Sequence, residues 1–199
     1  MKPILLDSQS GTVGAALTLT PVDISKAKGY GMLLNLTVAT AAAKTFTDAK
    51  VSVDNNTIEI TAHPYATGLK VAATTTGTLP GGLSATDYYV IKVNANTIKL
   101  AASAADAIAG IAVDITSAAG GGTHTLTPAA ISGASYKLQY SLDGVTYIDS
   151  GVTNNVTTTA KFLHEKVDPM FNFVQVVWAL SAGQIGYTVQ TLVKGENNG

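Results

Sequence analysis

The sequence is most informative in the residue types that it lacks. None of its 199 residues is cysteine, which excludes a disulfide framework, a thiolate nucleophile and a cysteine-ligated metal. All 12 basic residues are lysine, so arginine, the usual bidentate partner of phosphate and carboxylate, is absent. Because the lysines are also spread along the chain, we expect no sequence-specific binding of nucleic acid.

Charge is scarce as well. Charged side chains make up 13% of the chain and leave a formal net charge of -1, about half the charged share of an ordinary soluble domain. A weakly charged surface repels its own copies weakly, which favours association with itself or with a partner. The alternative interpretation is a neutral soluble domain whose surface is rich in Thr, Ser and Asn.

Long apolar segments are missing too. The apolar run within residues 1–7 is too short for a signal peptide. No window approaches the roughly 18 uninterrupted apolar residues of a transmembrane helix. We therefore expect no membrane association, and a protein made in a cytoplasm and used there or in an assembly built there.

Both ends of the chain have the period-two alternation of β-strands with one buried face. Gly29–Gly31, between the first two of these strands, is predicted to be a turn. Asp143-Gly144 is predicted to be the turn of a hairpin. The predicted strands are Leu17–Asp23, Met32–Val38, Ser135–Ser141, Phe171–Leu180 and Ile185–Val193.

Between them, residues 47–128 are richer in Thr, Gly and short turns. Asn94–Asn96 is predicted to close a hairpin, because Asn tolerates positive φ angles. Ala102–Gly110 is the one good helix candidate, with Ser103 as N-cap and Gly110 as its C-terminal stop. Candidate strands are Thr57–Thr61, Leu69–Thr74, Asp87–Val93, Thr97–Ala101, Val113–Thr116 and Thr123–Thr127.

The two outer pieces look incomplete separately but together supply enough strands for a sandwich. We therefore predict an all-β fold. One β-sandwich or jelly-roll-like domain is built from residues 1–46 plus 129–199, and a small β-rich module with one short helix, residues 47–128, is inserted into one of its loops. Insertion into an exposed loop is tolerated when the two ends of the insert lie close together.

No pattern in the sequence predicts catalysis or a cofactor. His63, His124 and His164 are far apart and have no second histidine at metal-ligand spacing. Asp143 and Asp149 flank a turn without the spacing of a calcium loop. There is no G-x-S-x-G nucleophile elbow and no phosphate-binding loop. We predict a protein that is not an enzyme and has no metal or cofactor.

Aromatic residues give the candidate contact residues. Most of them lie in the C-terminal piece at strand periodicity and are expected in the core, whereas a minority are expected at a contact face, where Tyr and Trp are favoured. Tyr88 and Tyr89 are neighbours on a strand and therefore point to opposite faces. The candidate interface residues are Tyr136, Tyr140, Tyr147, Trp178 and Tyr89.

The middle segment contains a recognisable series of sequence motifs. Thr74–Ser84 is followed by Asp87–Val93 and by Thr97–Ala101. This order resembles a small β module of bacteriophage virion proteins, in which a TTTG-LP-GL-S line precedes a YYVI strand and a TIKLA strand. Similar modules occur on head, tail and fibre proteins, so the resemblance implies a particle component without implying its location.

The C-terminal piece carries a second resemblance. Tyr136–Tyr147 resembles the strand and S-x-D-G-x-x-aromatic hairpin of phage head-decoration proteins, and residues 173–178 resemble their next strand. Those proteins often have arginine where this chain has Gln175, which puts a charge-dependent contact in doubt. The same hairpin occurs in discoidin-like carbohydrate-binding domains, which usually have a more aromatic binding edge.

These resemblances imply a phage capsid decoration protein, also called a cement or head-fibre protein. Its expected partners are the major capsid protein and two further copies of itself, in a homotrimer on the outer surface of the virion. The sandwich is expected to hold the shell while the insert projects outward. The alternatives are a tail, baseplate or fibre component that binds a host-surface glycan, and a carbohydrate-binding module.

Overall fold

Two of the three antiparallel sheets combine strands from both ends of the chain. A computed structural model describes residues 3–26, 29–39, 41–118, 120–157, 160–167 and 170–194. The polar residues Glu196–Gly199, which the sequence predicts to be a tail, lie outside them. The strands are β1 (Pro3–Val13), β2 (Leu17–Thr18), β3 (Val22–Asp23), β4 (Gly29–Ala39), β5 (Lys44–Phe46), β6 (Val51–Ser52), β7 (Thr57–Glu59), β8 (Lys70–Thr75), β9 (Asp87–Lys92), β10 (Thr97–Ala101), β11 (His124–Pro128), β12 (Ser135–Ser141), β13 (Ile148–Asn155), β14 (Ala160–Val167), β15 (Phe173–Ala179) and β16 (Gln184–Lys194).

The sandwich consists of a four-stranded sheet facing a second sheet. The first has the strand order β1-β16-β4-β14, and the second has the order β13-β12-β15-β2, with β3 also paired to β15. Alternate residues of β4 and β12 enter one shared core, as the pleat requires. Met32, Leu34 and Leu36 of β4 enter it from one sheet, and Val176 and Trp178 of β15 from the other.

Aromatic side chains join the two sheets at the centre of this core. Trp178 and Tyr136 are register partners on β15 and β12, with ring centroids 5.4 Å apart. Two rings of the facing sheet contact this pair. The ring centroid of Phe162, on β14, lies 5.3 Å from that of Tyr136, and the centroid of Tyr187, on β16, lies 6.0 Å from that of Trp178. Such spacings are typical of favourable aromatic pairs, so this cluster holds the layers together.

Residues 44–128 form the third sheet and a second core. Its strand order is β5-β11-β8-β9-β10-β7-β6, and its buried side chains run from Phe46 to Leu126. The helix α1 (Ala104–Ala109) begins after Ser103, whose hydroxyl accepts a hydrogen bond from the Asp106 N–H, and ends at Gly110 in the left-handed conformation. The all-β prediction, with a sandwich from both termini and one short helix in the inserted module, is confirmed.

The insert leaves and rejoins the sandwich on neighbouring strands. β5, where it begins, pairs antiparallel with β11, where it ends. The two cores also touch directly. The Gly14 N–H donates to the Thr67 carbonyl at 3.2 Å, and the buried side chain of Gln184 bonds the backbone of Pro64 and Ala66.

Several local predictions were wrong, each for a physical reason. Gly29–Gly31 is not a turn but the start of β4, because β16 and β14 pair with it on both sides. Leu17–Asp23 is divided into β2 and β3 around Pro21, which has no N–H for a ladder. Val113–Thr116 forms no strand, although an isolated bridge joins the next residue, Ser117, to Gly81.

Two turns also differ from the predictions. The hairpin at Asn94–Asn96 is present, but neither asparagine has a positive φ. Instead the Asn94 side chain accepts the Asn96 N–H at 2.8 Å, which makes an Asx turn. A hairpin through Gly183, which the adjacency of the predicted strands Phe171–Leu180 and Ile185–Val193 favours, does not form, because β15 and β16 belong to facing sheets. The strands β1 and β14 were not predicted.

The contact between the cores predicts a steric effect at Gly14. A Cβ added there would lie 2.3 Å from the backbone nitrogen of Leu69, which cannot move without displacing the insert. We expect Gly14→Ala to lower the free energy of unfolding by about 1–3 kcal/mol in chemical denaturation. Ser10→Ala, at an exposed position of β1, is the control, and an equal stability of both variants would contradict the close contact.

Candidate contact surface

One end of the sandwich presents exposed apolar side chains. They surround the connection between β12 and β13 and the start of β15. Leu142, Val145, Ile148 and Met170 are exposed to 60%, 83%, 58% and 77%. We call these four residues the apolar tip. Exposed apolar side chains are ordinary when scattered, but a group at one end of a fold indicates a contact surface.

The turn that carries the tip is held by a dense set of hydrogen bonds. The Ser141 hydroxyl donates to Asp143 Oδ1 at 2.8 Å and accepts the Gly144 N–H at 2.9 Å. Asp143 Oδ1 also accepts the N–H groups of Val145 and Thr146, at 2.9 and 2.8 Å. Asp-Gly is therefore a turn, as predicted, and its conformation is defined before any partner binds.

The same hydrogen bonds stabilise one negative charge at the tip, on Asp143. The backbone N–H groups of Thr146 and Val145, followed by the Ser141 hydroxyl, lower the pKa of Asp143 to about 2. A carboxylate that accepts several N–H bonds is stabilised in its ionised form. Asp143 is exposed and ionised at neutral pH, so a partner that covers the tip must leave this carboxylate in contact with water or offer it a donor.

Aromatic rings form the base of the tip. Tyr140 stacks on Phe171, with ring centroids 5.3 Å apart and planes 17° from parallel. Gly144, with φ 75°, lies against Phe173, where an added Cβ would come within 3.1 Å of the ring. The Asn172 side chain donates to the Leu142 carbonyl at 2.7 Å. The turn is thus packed on the first residues of β15.

The predicted interface residues do not form one surface. Tyr140 and Tyr147 lie at the base of the tip, half-buried, and burial raises the pKa of Tyr147. Tyr136 and Trp178 are only 1% exposed, so a surface role for these two is wrong, because the sandwich core needs their area. Tyr89 lies on β9 of the insert, half-buried, while its neighbour Tyr88 enters the insert core.

The outer face of β12 and its neighbours is polar. Lys137 pairs with Asp149 at 2.7 Å, and Asp149 also accepts from Gln139. Gln175 donates to Gln139 at 2.8 Å, which extends the chain of hydrogen bonds to β15. Lys137 and then Gln139 lower the pKa of Asp149. Gln175, at the position where arginine was considered, thus brings no charge to β15 and extends the row by an amide–amide hydrogen bond.

The histidines are spread over the fold rather than gathered. His124 is fully buried in the insert, where Asp48 Oδ1 lies 2.8 Å from Nε2 and the Thr75 hydroxyl 2.8 Å from Nδ1. The order of groups is that of a hydrolytic triad, but the ring has no access to substrate and Thr75 also accepts the Gly77 N–H. This arrangement ties three segments of the insert together.

The structure holds no cluster that suits a metal within the described part of the chain. No group of three or more His, Cys, Asp or Glu side chains converges there. The two carboxylates considered for calcium, Asp143 and Asp149, already accept hydrogen bonds from their own hairpin. The side chain of His164 lies outside what the structure describes. In the same ranges, no helix is long and apolar enough to cross a membrane.

Sequence reasoning missed the apolar tip itself. The predicted interface residues are all aromatic, whereas the exposed residues of the tip are aliphatic side chains and a methionine. One signal was available, since a turn exposes the residues around its centre, and Leu142 and Val145 flank Asp143-Gly144. Met170 had no such signal, because only the fold brings it beside Leu142.

The hydrogen bonds of Asp143 predict an acid-sensitive tip. Its pKa in the folded protein, about 2, is below the ordinary 3.8, so its stabilising effect is present above about pH 4 and is lost as the pH falls toward 2. We expect hydrogen exchange at Val145 and Thr146 to lose protection over that range. Asp143→Ala should remove the protection at neutral pH as well, whereas Asp114→Asn, in the insert, should not.

Comparisons with known proteins add no name to this geometry. No protein-family model matches the chain, and no curated protein matches it.

Proposed function

We propose that this protein is a non-enzymatic structural protein of a bacteriophage virion, a capsid decoration protein that binds the outer surface of the head shell and stabilises it. The observation that carries the proposal is the apolar tip, a group of four exposed apolar side chains on a hydrogen-bonded turn at one end of the sandwich. The resemblance of residues 74–101 and 136–147 to phage modules gives the class of particle.

The tip suits a partner that is rigid and apolar. Its turn is already ordered by Ser141 and Asp143, so binding loses little conformational entropy. Fully burying four such side chains contributes at most about 6–12 kcal/mol. Association costs about 4–15 kcal/mol in lost freedom, so a single tip binds weakly.

Several tips that bind together hold the partner more strongly than one tip alone. If three copies associate, the second and third tips bind at a high effective concentration, and the complex dissociates slowly without any new kind of contact. The weakly charged surface, with a net charge of -1 over 199 residues, favours such self-association. We therefore propose a homotrimer on the major capsid protein, at the quasi-threefold positions of the shell.

The geometry of β15 supports an outward-facing insert. Its first residue, Phe173, packs under the turn of the tip, and the chain that follows its last residue reaches Gln184, which contacts the insert. Seven strand residues span roughly 20 Å. The tip and the insert are therefore at opposite ends of the sandwich, so a shell bound at the tip leaves the insert exposed.

A groove on the insert favours a second candidate function. It has a volume of about 440 Å³, and amides, hydroxyls and the ion pair of Lys50 with Glu59 line it, together with Asn94, Asn96 and Thr97. Polar groups of this kind suit the hydroxyls of a sugar. Retention of the protein on a glycan array, lost with Asn96→Ala, would favour a host-glycan receptor on the tail or a fibre, or a carbohydrate-binding module.

Changing the tip tests the proposed attachment. We expect Val145→Asp to weaken binding to purified shells that lack this protein by tenfold or more, because a carboxylate buried in an apolar contact is costly. Co-sedimentation with a dilution series measures it. Ile111→Asp, at an exposed apolar position of the insert, is the matched control. Equal binding by both variants would exclude the tip as the contact.

Removing the insert tests its role. Since β5 and β11 are neighbours, their ends lie about 5 Å apart, and a short Gly-Ser linker can join residue 43 to residue 129. We expect the shortened protein to keep the sandwich fold and shell binding, and to lose any glycan binding. If it folds, by circular dichroism and by dispersion of its amide signals, but no longer binds shells, the insert is the attachment surface.

A further inference from the structure

One short segment of the insert forms hydrogen bonds directly with β16 and with the residue after β1. It comprises His63 to Thr67, and we call it the junction segment. Pro64 O accepts from the Gln184 side chain at 3.1 Å, the Ala66 N–H donates to the same side chain at 3.0 Å, and Thr67 O accepts from Gly14 at 3.2 Å. Gln184 is buried on β16, so the sandwich contributes a fixed surface and the segment must match it.

The same segment is tied to both ends of the insert. The Tyr65 hydroxyl lies 3.2 Å from the Ala42 carbonyl, before β5, and 3.1 Å from the Leu126 carbonyl, on β11. Burial of this ring raises the pKa of Tyr65 to about 12, so the hydroxyl stays a donor at any physiological pH. The conformation of the junction segment therefore sets how the insert sits on the sandwich.

His63 controls that conformation at the first residue. Its ring is buried, with 5% of the residue exposed. Nδ1 accepts the Tyr65 N–H at 3.2 Å, whereas Nε2 has no hydrogen-bond partner in the described structure. An imidazole nitrogen that accepts a hydrogen bond carries no proton. The ring is therefore neutral, with its proton on Nε2.

A second proton would disrupt this arrangement. It would occupy Nδ1, remove the acceptor of the Tyr65 N–H and place a buried positive charge near Lys92 on β9 and Lys44 on β5. Burial is the largest cause and lowers the pKa of His63 below its usual 6.5. The carbonyls of Thr97 and Asn94 oppose this shift, although neither completes a hydrogen bond with Nε2. The two lysines lower the pKa by a smaller amount. The segment is thus stable with His63 neutral and strained when it is charged.

The lowered pKa of His63 determines how pH changes the stability of the closed junction. Because the pKa is lower in the folded junction than in an opened one, the opened form takes up the proton first. The closed junction is fully stable above about pH 6.5 and loses stability as the pH falls below that value. The lost stability grows until the pH passes the lowered pKa.

We propose that His63 is a proton-sensitive latch between the two cores, which opens in mild acid and frees the insert to reorient on the sandwich while both cores stay folded. The pairing of β5 with β11 does not involve His63 and keeps the insert attached. The hydrogen bonds of Pro64 and Ala66 to Gln184 depend on the shape of the segment and are lost. The latch does not depend on what the tip binds.

Two variants separate the latch from general acid sensitivity. His63→Asn keeps an acceptor for the N–H two residues ahead, as an Asx turn does, but cannot take up a proton near neutral pH. Gln184→Ala removes the two hydrogen bonds on the sandwich side and should open the junction at every pH. Amide hydrogen exchange of the full chain, followed by NMR between about pH 7.5 and pH 5, gives the readout.

In the unaltered protein, we expect protection at Ala66 and Gly14 to fall about tenfold for each pH unit between 6.5 and the lowered pKa, with core amides of Leu34 and Val90 unchanged. His63→Asn should show no such fall. Loss of protection that persists in His63→Asn, or protection that is constant in the unaltered protein, would overturn the latch. So would a His63 ring signal that titrates at or above pH 6.5, which needs no variant. Loss of the Asp48 hydrogen bonds in acid would instead appear at Gly120 and Gly121, whose N–H groups donate to Asp48 Oδ2.

Discussion

The fold depends on the final strand. β16 pairs along its whole length with β1 on one side and with β4 on the other, so the last residues of the chain hold the first ones in place. The four-stranded sheet, and the Trp178 cluster that packs against it, are therefore complete only when the C-terminus is present. Pairing over so large a sequence separation makes folding slow, whereas the strands of the insert are closer along the chain.

This closure determines where an insertion is tolerated. The chain leaves the sandwich after β4 and returns before β12, and β4 and β12 belong to facing sheets. A segment placed there must begin and end at one edge of the sandwich, and the pairing of β5 with β11 meets that requirement. Because two adjacent strands alone would form a hinge, the contacts of Gly14 and Gln184 with the junction segment are what orient the insert.

Sequence patterns predicted the parts of this fold that are local. Alternation identified β12, and the cap residues Ser103 and Gly110 identified α1, because each signal lies within its own element. β1 was not predicted, because its Ser-Gln-Ser-Gly-Thr stretch is polar and its pairing with β16 contains a bulge near Leu6. The apolar tip was also not predicted, because its residues come together only in the folded protein. Met170 joins it only through tertiary structure, and the aromatic residues that look like anchors are needed inside.

The tip and the junction segment lie at different places in the fold, so a contact with a partner and a reorientation of the insert need not use the same surface. A contact that holds a shell must be rigid and insensitive to mild acid, and Asp143 meets both needs, because its pKa of about 2 keeps the turn closed at any pH near neutrality. A module that reorients must be held by a weaker interaction, and His63 supplies one that fails first as the pH falls. Since β15 separates the two sites by roughly 20 Å, opening the junction leaves the hydrogen bonds of the tip unchanged. In the proposed arrangement, acid alters the orientation of the insert and leaves the attachment surface unchanged.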